Sequence, residues 1–233
     1  MIKRTLVILF ASTMLSGLHG QSLEFGFQVG WGNYQMGELS EYFNDVEIPL
    51  DVRVVVDYPS YAFFQPELSW GNDTFSIGIC DAFMSTGARI SVKDHTGEYR
   101  MDSQIKSHAP ALIYKHRIFD FKGFQQRIYC KAGVGLTQMV LSEYFELYEK
   151  VEFDYSYEFN SVSGFVEPGI AISYDDRFLT MALNLGYYLQ YYSSPLEESE
   201  HGFTFWASNY NTNARSNWSG MRIGLGLILH RAR

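Results

Sequence analysis

The sequence predicts an all-β fold: an eight-stranded antiparallel up-and-down β-barrel able to span a membrane, with a short helix in its first external loop. Three observations carry this. Large apolar side chains recur at period two along many short segments, glycine and small or polar residues fill the alternate positions, and no apolar run after residue 20 is long enough for a spanning helix. The 233 residues are 46% hydrophobic and 17% aromatic, with 18 Phe, 17 Tyr and 20 Gly, which excludes disorder and favours short strands over a helical bundle. Only 19% of residues are charged and the formal net charge is −8, so no nucleic-acid partner is expected.

Residues 1–20 have the layout of an export signal. Lys3 and Arg4 form a positive start, Thr5 to Leu15 an uncharged apolar stretch, and Gly17 or Gly20 a small residue for cleavage, with the cut expected after Gly20. The apolar stretch is shorter than the roughly 18 residues a membrane anchor needs. No cysteine lies near it, so no lipid-modified N-terminus is expected. Its removal leaves 16 basic against 26 acidic residues in one domain over 21–233.

The strands follow in order. Residues 23–31 alternate Leu23, Phe25, Phe27, Val29 and Trp31 with Glu24, Gly26, Gln28 and Gly30. Residues 179–189 set Leu179, Met181, Leu183, Leu185, Tyr187 and Leu189 against Thr180, Ala182, Asn184, Gly186 and Tyr188. The last segment sets Met221, Ile223, Leu225, Leu227 and Leu229 against Gly220, Arg222, Gly224 and Gly226. A soluble barrel of lipocalin type would turn its apolar face inward and a charged face to water; a glycine-rich face suits a crowded lumen and an unbroken apolar face suits lipid. The soluble carrier of hydrophobic ligands stays as an alternative.

Turn residues divide the rest. Gly71-Asn72-Asp73, Asp120 to Gly123 and Asp175-Asp176-Arg177 are short connections; 34–59, 145–162 and 193–216 are long, with a tighter one at His95-Thr96-Gly97. Eight strands result, near 22–33, 61–70, 75–93, 99–118, 124–143, 163–174, 178–192 and 218–230. An even count with alternating short and long connections matches bacterial barrels, with short turns in the periplasm. Trp70, Phe75, Phe119, Phe121, Phe124, Tyr174 and Phe178 flank the short turns, and Trp31, Tyr61, Tyr144, Tyr191 and Trp218 the opposite ends, as two aromatic girdles.

The export signal, the glycine-alternating first strand, Met36-Gly-Glu-Leu-Ser-Glu-Tyr-Phe-Asn-Asp45, Asp57-Tyr-Pro-Ser-Tyr61 and Ser85-Thr-Gly-Ala-Arg-Ile-Ser91 together resemble small outer-membrane β-barrel proteins of Bacteroidota-type bacteria. The resemblance covers the mature chain and departs at Leu229-His-Arg-Ala-Arg233, where such barrels often end on an aromatic residue. It implies an integral outer-membrane barrel and, for most members, no assigned activity. Taken together, the residues lead to the expectation of a monomer in the cell outer membrane, with lipids, lipopolysaccharide and the assembly machinery as partners, and of a structural, surface-recognition or minor solute-passage role without enzymatic activity.

The remaining residues bear on chemistry. Cys80 turns inward by parity while Cys130 shares the apolar face with Ile128, Ala132, Val134 and Leu136, so no disulfide is expected. The histidines show no compact ligand spacing, and there is no GxSxG, CxxC or P-loop; neither metal nor cofactor is expected. A lipid A deacylase or acyltransferase, whose catalytic residues are dispersed, is the enzymatic alternative, with His108 beside Ser107 or Ser103 as its candidate centre. Parity directs Glu24, Glu67, Asp81 and Glu167, and Lys115, Arg117, Arg127, Lys131 and Arg222, inward, where they predict an ionic plug. Inward Asp81, with Ser85, Gly87, Arg89 and Ser91, requires a β-bulge between Ile79 and Phe83. Residues 93–115 are predicted to extend beyond the bilayer, with Arg100 and Lys106 open to trypsin. Met36, Leu39, Phe43 and Val46 are spaced for a short amphipathic helix over the mouth. Phe203, Phe205, Trp206 and Tyr210, among Asn209, Asn211, Asn213 and Asn217, are candidates for recognition in the last loop.

Overall fold

A computed structural model of the chain describes residues 22–45, 53–56, 58–93, 95–148, 150–175, 179–199, 203–207 and 212–230. The export segment lies outside the described residues, as do Asp57, Asp176 to Phe178, His201, Asn209, Tyr210 and Asn211. Eight strands form the wall: β1 (Ser22–Gly32), β3 (Tyr61–Gly71), β4 (Phe75–Lys93), β5 (Gly97–Phe121), β6 (Phe124–Leu147), β7 (Lys150–Asp175), β8 (Leu179–Ser193) and β12 (Gly220–His230). Each pairs antiparallel with its sequence neighbour in this set, and β1 pairs with β12, so the sheet closes on itself. Between them lie α1 (Gly37–Asp45), β2 (Arg53–Val56) on the edge of β4, β9 (Glu197–Glu198) on β7, and a hairpin of β10 (Trp206–Ala207) with β11 (Thr212–Asn213).

The short turns have local causes. Asn72 Oδ1 accepts the N–H groups of Thr74 at 2.8 Å and Phe75 at 3.0 Å, an Asx-type turn. Phe121 pairs directly with Phe124, and the two residues between them, Lys122 and Gly123, have φ of 50° and 86°; two left-handed residues in a two-residue hairpin match the right-handed twist of the strands.

One end of the barrel has an apolar belt. Phe25, Leu68, Ile79, Leu112, Ile128, Ile170, Leu185 and Leu225, one from each strand of the ring, all point outward and are exposed. Away from the short turns the strands continue past this belt and the pattern inverts. On β6, Ile128, Val134 and Leu136 are outward and apolar, but beyond Leu136 the outward residues include Gln138 and Ser142, and the buried ones are Met139 and Leu141. No bulge accompanies the inversion: β5–β6 pairing runs in one register from Gly97↔Leu147 to Arg117↔Arg127. Once water replaces the apolar medium outside, the barrel needs an ordinary apolar core inside. That core joins Ile90, Met101, Ile105, Met139, Leu141 and Phe159, and Met36, Leu39, Leu196, Phe205 and Ala214 cap it from the loops.

This inversion corrects two expectations. No bulge lies between Ile79 and Phe83: β4 pairs β5 without a shift from Phe75↔His116 to Lys93↔Glu98. Asp81 therefore points outward on the parity of Ile79 and Phe83, as do Ser85, Gly87, Arg89 and Ser91, which need no shift because they lie beyond the belt. The same continuous pairing carries the inward face through Ser107, Ala109 and Ala111. The long connection expected over 145–162 is also mostly strand. β7 begins at Lys150 and pairs with β6 along its length, because Val151, Phe153, Tyr155, Tyr157 and Phe159 alternate with polar residues.

Strand lengths differ around the ring, so β4 to β7 rise as a wall above the rest. β8 leaves β7 at Ser163 and β9 pairs it only at Phe159 and Asn160, so among the described residues no strand borders the far side of Val151–Tyr157. Phe145 on β6 and Phe153, Tyr155 and Tyr157 on β7 form a row on the inward side of this wall, with successive ring centroids 5.3, 5.7 and 6.4 Å apart, and Phe145 and Phe153 pack against the core. The helix lies close to where the spacing put it. Leu39 is fully buried in the mouth, and the Glu38 carboxylate accepts the backbone N–H of Arg215 at 2.9 Å; the side chains of Phe43 and Val46 lie outside the described residues.

Candidate functional site

The lumen is the first candidate. Glu167 on β7 is buried beneath the core, with its Oε1 2.7 Å from Lys131 Nζ and its Oε2 3.0 Å from Arg222 Nη1. Lys131 also donates to Gln65 Oε1 at 2.9 Å, and the Tyr129 hydroxyl donates to Glu167 at 3.4 Å. Three strands, β6, β7 and β12, thereby converge on one carboxylate. Glycine makes the convergence possible: a Cβ on Gly169 would lie 2.2 Å from the Tyr129 ring, and one on Gly186 2.4 Å from its hydroxyl. The Arg222 guanidinium sits over three rings, 4.0 Å from the centroid of Tyr188, 5.3 Å from Phe63 and 5.8 Å from Tyr34, with Met84 Sδ against its Nη2.

A second pair lies nearer the short turns, where Lys115 Nζ is 2.5 Å from Glu67 Oε1 and both are buried. Arg127 donates twice to Gln125 Oε1, and Arg117 pairs with Asp120 at the rim. The cavity between these layers has ≈ 30 Å³, room for about two waters and too little for a water column. Above Arg222, Phe165 stacks on Tyr188 at 4.3 Å, and Trp218, fully buried, donates its indole N–H to Thr137 Oγ1 at 3.0 Å. Wild-type protein in planar bilayers is accordingly expected to show no steady porin-sized conductance; large, stable, voltage-insensitive steps would contradict the stopper.

Of the nine charged residues assigned inward, Glu24, Glu67, Lys115, Lys131, Glu167 and Arg222 are buried in the lumen, and Arg117 and Arg127 are partly buried near its rim. Asp81 is the exception. It faces outward, with its Oδ2 3.7 Å from Nδ1 of His108, which is outward on β5. The structure does not join His108 to Ser107 or Ser103: both serines are buried on the opposite face, where Ser107 accepts from Thr137 and Ser103 from Tyr58. Cys80 is buried and Cys130 exposed, both as free thiols. Gln65, Phe63 and Tyr34 complete the stopper together with Trp218, which the girdle reading set at the interface and which is instead fully buried. Gln65 and Phe63 share the parity of Glu67, and Trp218 shares that of Arg222 within the expected strand 218–230, so alternation turns all three inward; Tyr34 arrives from a connection where alternation carries no information.

The last connection also departs from expectation. Phe205 is not a surface residue: its N–H bonds to Leu196 O at 2.8 Å, its carbonyl accepts from Ala214 at 2.7 Å, and its ring packs edge-on to Phe159 at 5.3 Å. Phe203 is exposed; the side chains of Trp206 and Tyr210 lie outside the described residues. At the tip of the β4–β5 hairpin, the hydrogen bond from Lys93 at 2.7 Å holds the Glu98 carboxyl below its ordinary range.

No protein-family model matches the chain, and neither does any curated protein. Among solved structures, it is similar to Ail, the attachment invasion locus protein of Yersinia pestis, at 10% identity and TM-score 0.39 over 92% of this chain and 100% of that one. It is likewise similar to Neisserial surface protein A at 11% identity and TM-score 0.34, over 91% and 100% of the two chains. The outer membrane protein OprG of Pseudomonas aeruginosa gives 13% and 0.39, over 92% and 97%.

Proposed function

We propose that the chain is an integral outer-membrane barrel that recognises a partner at the cell surface and does not conduct solutes. The observation that carries this is the continuous inversion from an outward apolar belt to an inward apolar core within single strands, as from Leu136 to Met139 on β6. A barrel wholly in water gains nothing from an apolar belt outside, and one wholly in lipid needs no apolar core. The lumen stopper favours recognition over passage, and the rising wall, with its open edge and row of Phe145, Phe153, Tyr155 and Tyr157, offers a surface for it. Cleavage of the export signal after Gly20, the Bacteroidota-type affiliation, the monomeric state, and lipopolysaccharide and the assembly machinery as partners belong to the same proposal. So does the lack of enzymatic activity, which the separation of His108 from the two serines supports.

Limited trypsin treatment of intact cells tests it. Arg100 and Lys106, for which the sequence predicts tryptic accessibility, lie on β5 between two paired neighbours, which protects the backbone from a protease. Cleavage is expected at Lys93 or Lys150, which flank the outer tips, while the belt end stays protected. Recovery of the protein in the soluble fraction, or cleavage near Lys122 on intact cells, would overturn the reading.

A further inference from the structure

The outward face of β3 to β6 carries a feature that a lipid belt does not need. Among the described outward residues between the Phe75 row and the Phe83 row, Asp81 is the only carboxylate. The register sets it directly across from Pro110, and the flanking pairs Phe64↔Phe83 and Glu67↔Cys80 set it across from Pro66 on the other side. Two prolines with short rings, together with Ala132 and Gly133, leave the wall shallow. A groove of ≈ 660 Å³ runs there, with Leu68, Ile79, Leu112 and Val134 along it and Asp81 among its lining residues. An ionisable side chain facing lipid carries a desolvation cost, which makes Asp81, with His108 3.7 Å away, the candidate functional position on this face.

The rows above change in step. Phe83 pairs with His108, whose imidazole lies beside Asp81; the next outward pair is Ser85 with Lys106, then Gly87 with Gln104, then Arg89 with Asp102. A second groove of ≈ 700 Å³ opens over these rows, lined by Ser85, Gly87, Arg89, Gln104 and Ser142. Arg89 and Arg100 share the carboxylate of Asp102, and Lys106 is exposed, so the β4–β5 part of this upper surface carries excess positive charge, with Glu158 of β7 outward beyond Val140 on its far side. An apolar groove below, hydrogen-bonding side chains above and cations at the junction are complementary to an amphiphile with an anionic head.

We propose that this wall holds one phosphorylated glycolipid of the surrounding leaflet. Its acyl chain lies along the lower groove, its sugar hydroxyls meet Ser85, Gln104 and Ser142, and its phosphate contacts Lys106 and His108, the latter oriented by Asp81. The inference rests on the membrane reading above.

The test uses the full chain in nanodiscs containing diphosphorylated lipid A, its dephosphorylated form, or phosphatidylglycerol, with retained lipid counted by native mass spectrometry. One lipid A is expected to remain bound, and loss of the phosphate or Lys106→Ala should weaken retention about tenfold, as for one charge-assisted contact. Ala132→Trp, which fills the lower groove, should abolish retention, whereas Leu225→Trp on the far wall should leave it unchanged. Equal retention of phosphatidylglycerol, or retention insensitive to both Lys106→Ala and Ala132→Trp, would overturn the site. Heat-modifiable gel migration of the same samples reports folding in the bilayer, so failure of the membrane reading is seen separately.

Discussion

Glu167→Gln is expected to lower the thermal unfolding temperature of the purified barrel more than any other single charge removal in the lumen. The carboxylate is 1% exposed and sits between Lys131 at 2.7 Å and Arg222 at 3.0 Å. An amide leaves both cations buried without a counter-charge, and breaking a buried pair costs about 3–5 kcal/mol, which is on the order of 10 °C for a domain of this size. Arg222→Met should cost less. It leaves Glu167 bound to Lys131, and the methionine can occupy the space between Tyr188, Phe63 and Tyr34. Arg89→Ala, which removes an exposed partner of Asp102, should shift stability by no more than about 1 kcal/mol. Gel-shift melting of the three variants checks the order; Glu167→Gln melting with Arg89→Ala would mean that water reaches the triad.

The barrel was legible because its signal is periodic and local. Three turns, the apolar faces of 23–31, 179–189 and 221–229, and most inward charges follow from alternation alone. Alternation fixes which residues share a face but not which medium that face meets, and the misreadings come from there. An inward Asp81 rests on the premise that a carboxylate avoids lipid, and inward Ser85, Gly87, Arg89 and Ser91 on the premise that outward residues are apolar. Both premises fail where the strand outruns the membrane or a partner side chain such as His108 stands nearby. The long connection expected over 145–162 overlooks the alternation of Val151, Phe153, Tyr155, Tyr157 and Phe159 with polar residues, which continues β7 back to Lys150. The stopper was half legible. Its ion pairs lie on strands, but the rings that enclose Arg222 include Tyr34 from a connection, and Trp218 reaches Thr137 across 81 residues of sequence.

The phase inversion on β6 makes the second large prediction, read from two substitutions three residues apart. Leu136 is outward in the apolar belt, opposite His108 and Val162, and Met139 is inward with no exposed surface. Leu136→Arg places a guanidinium against lipid, at a cost of about 2–4 kcal/mol at mid-depth and less toward the interface. Met139→Arg places the same group in the apolar core among Ile105 and Phe159, without a partner, where the penalty is several kcal/mol and falls on the projecting wall. Gln138→Arg, between them in sequence and outward beyond the belt opposite Lys106 and Asn160, should be nearly silent. The two damaging variants are distinguishable by what they leave intact. Leu136→Arg should reduce insertion into liposomes, and any barrel that inserts should keep its trypsin pattern. Met139→Arg should insert and retain a heat-modifiable belt end, but open new tryptic sites at Arg100 and Lys106 as β5 and β6 separate above the membrane. Silence at both positions together with damage at Gln138 would place the strand one residue out of phase.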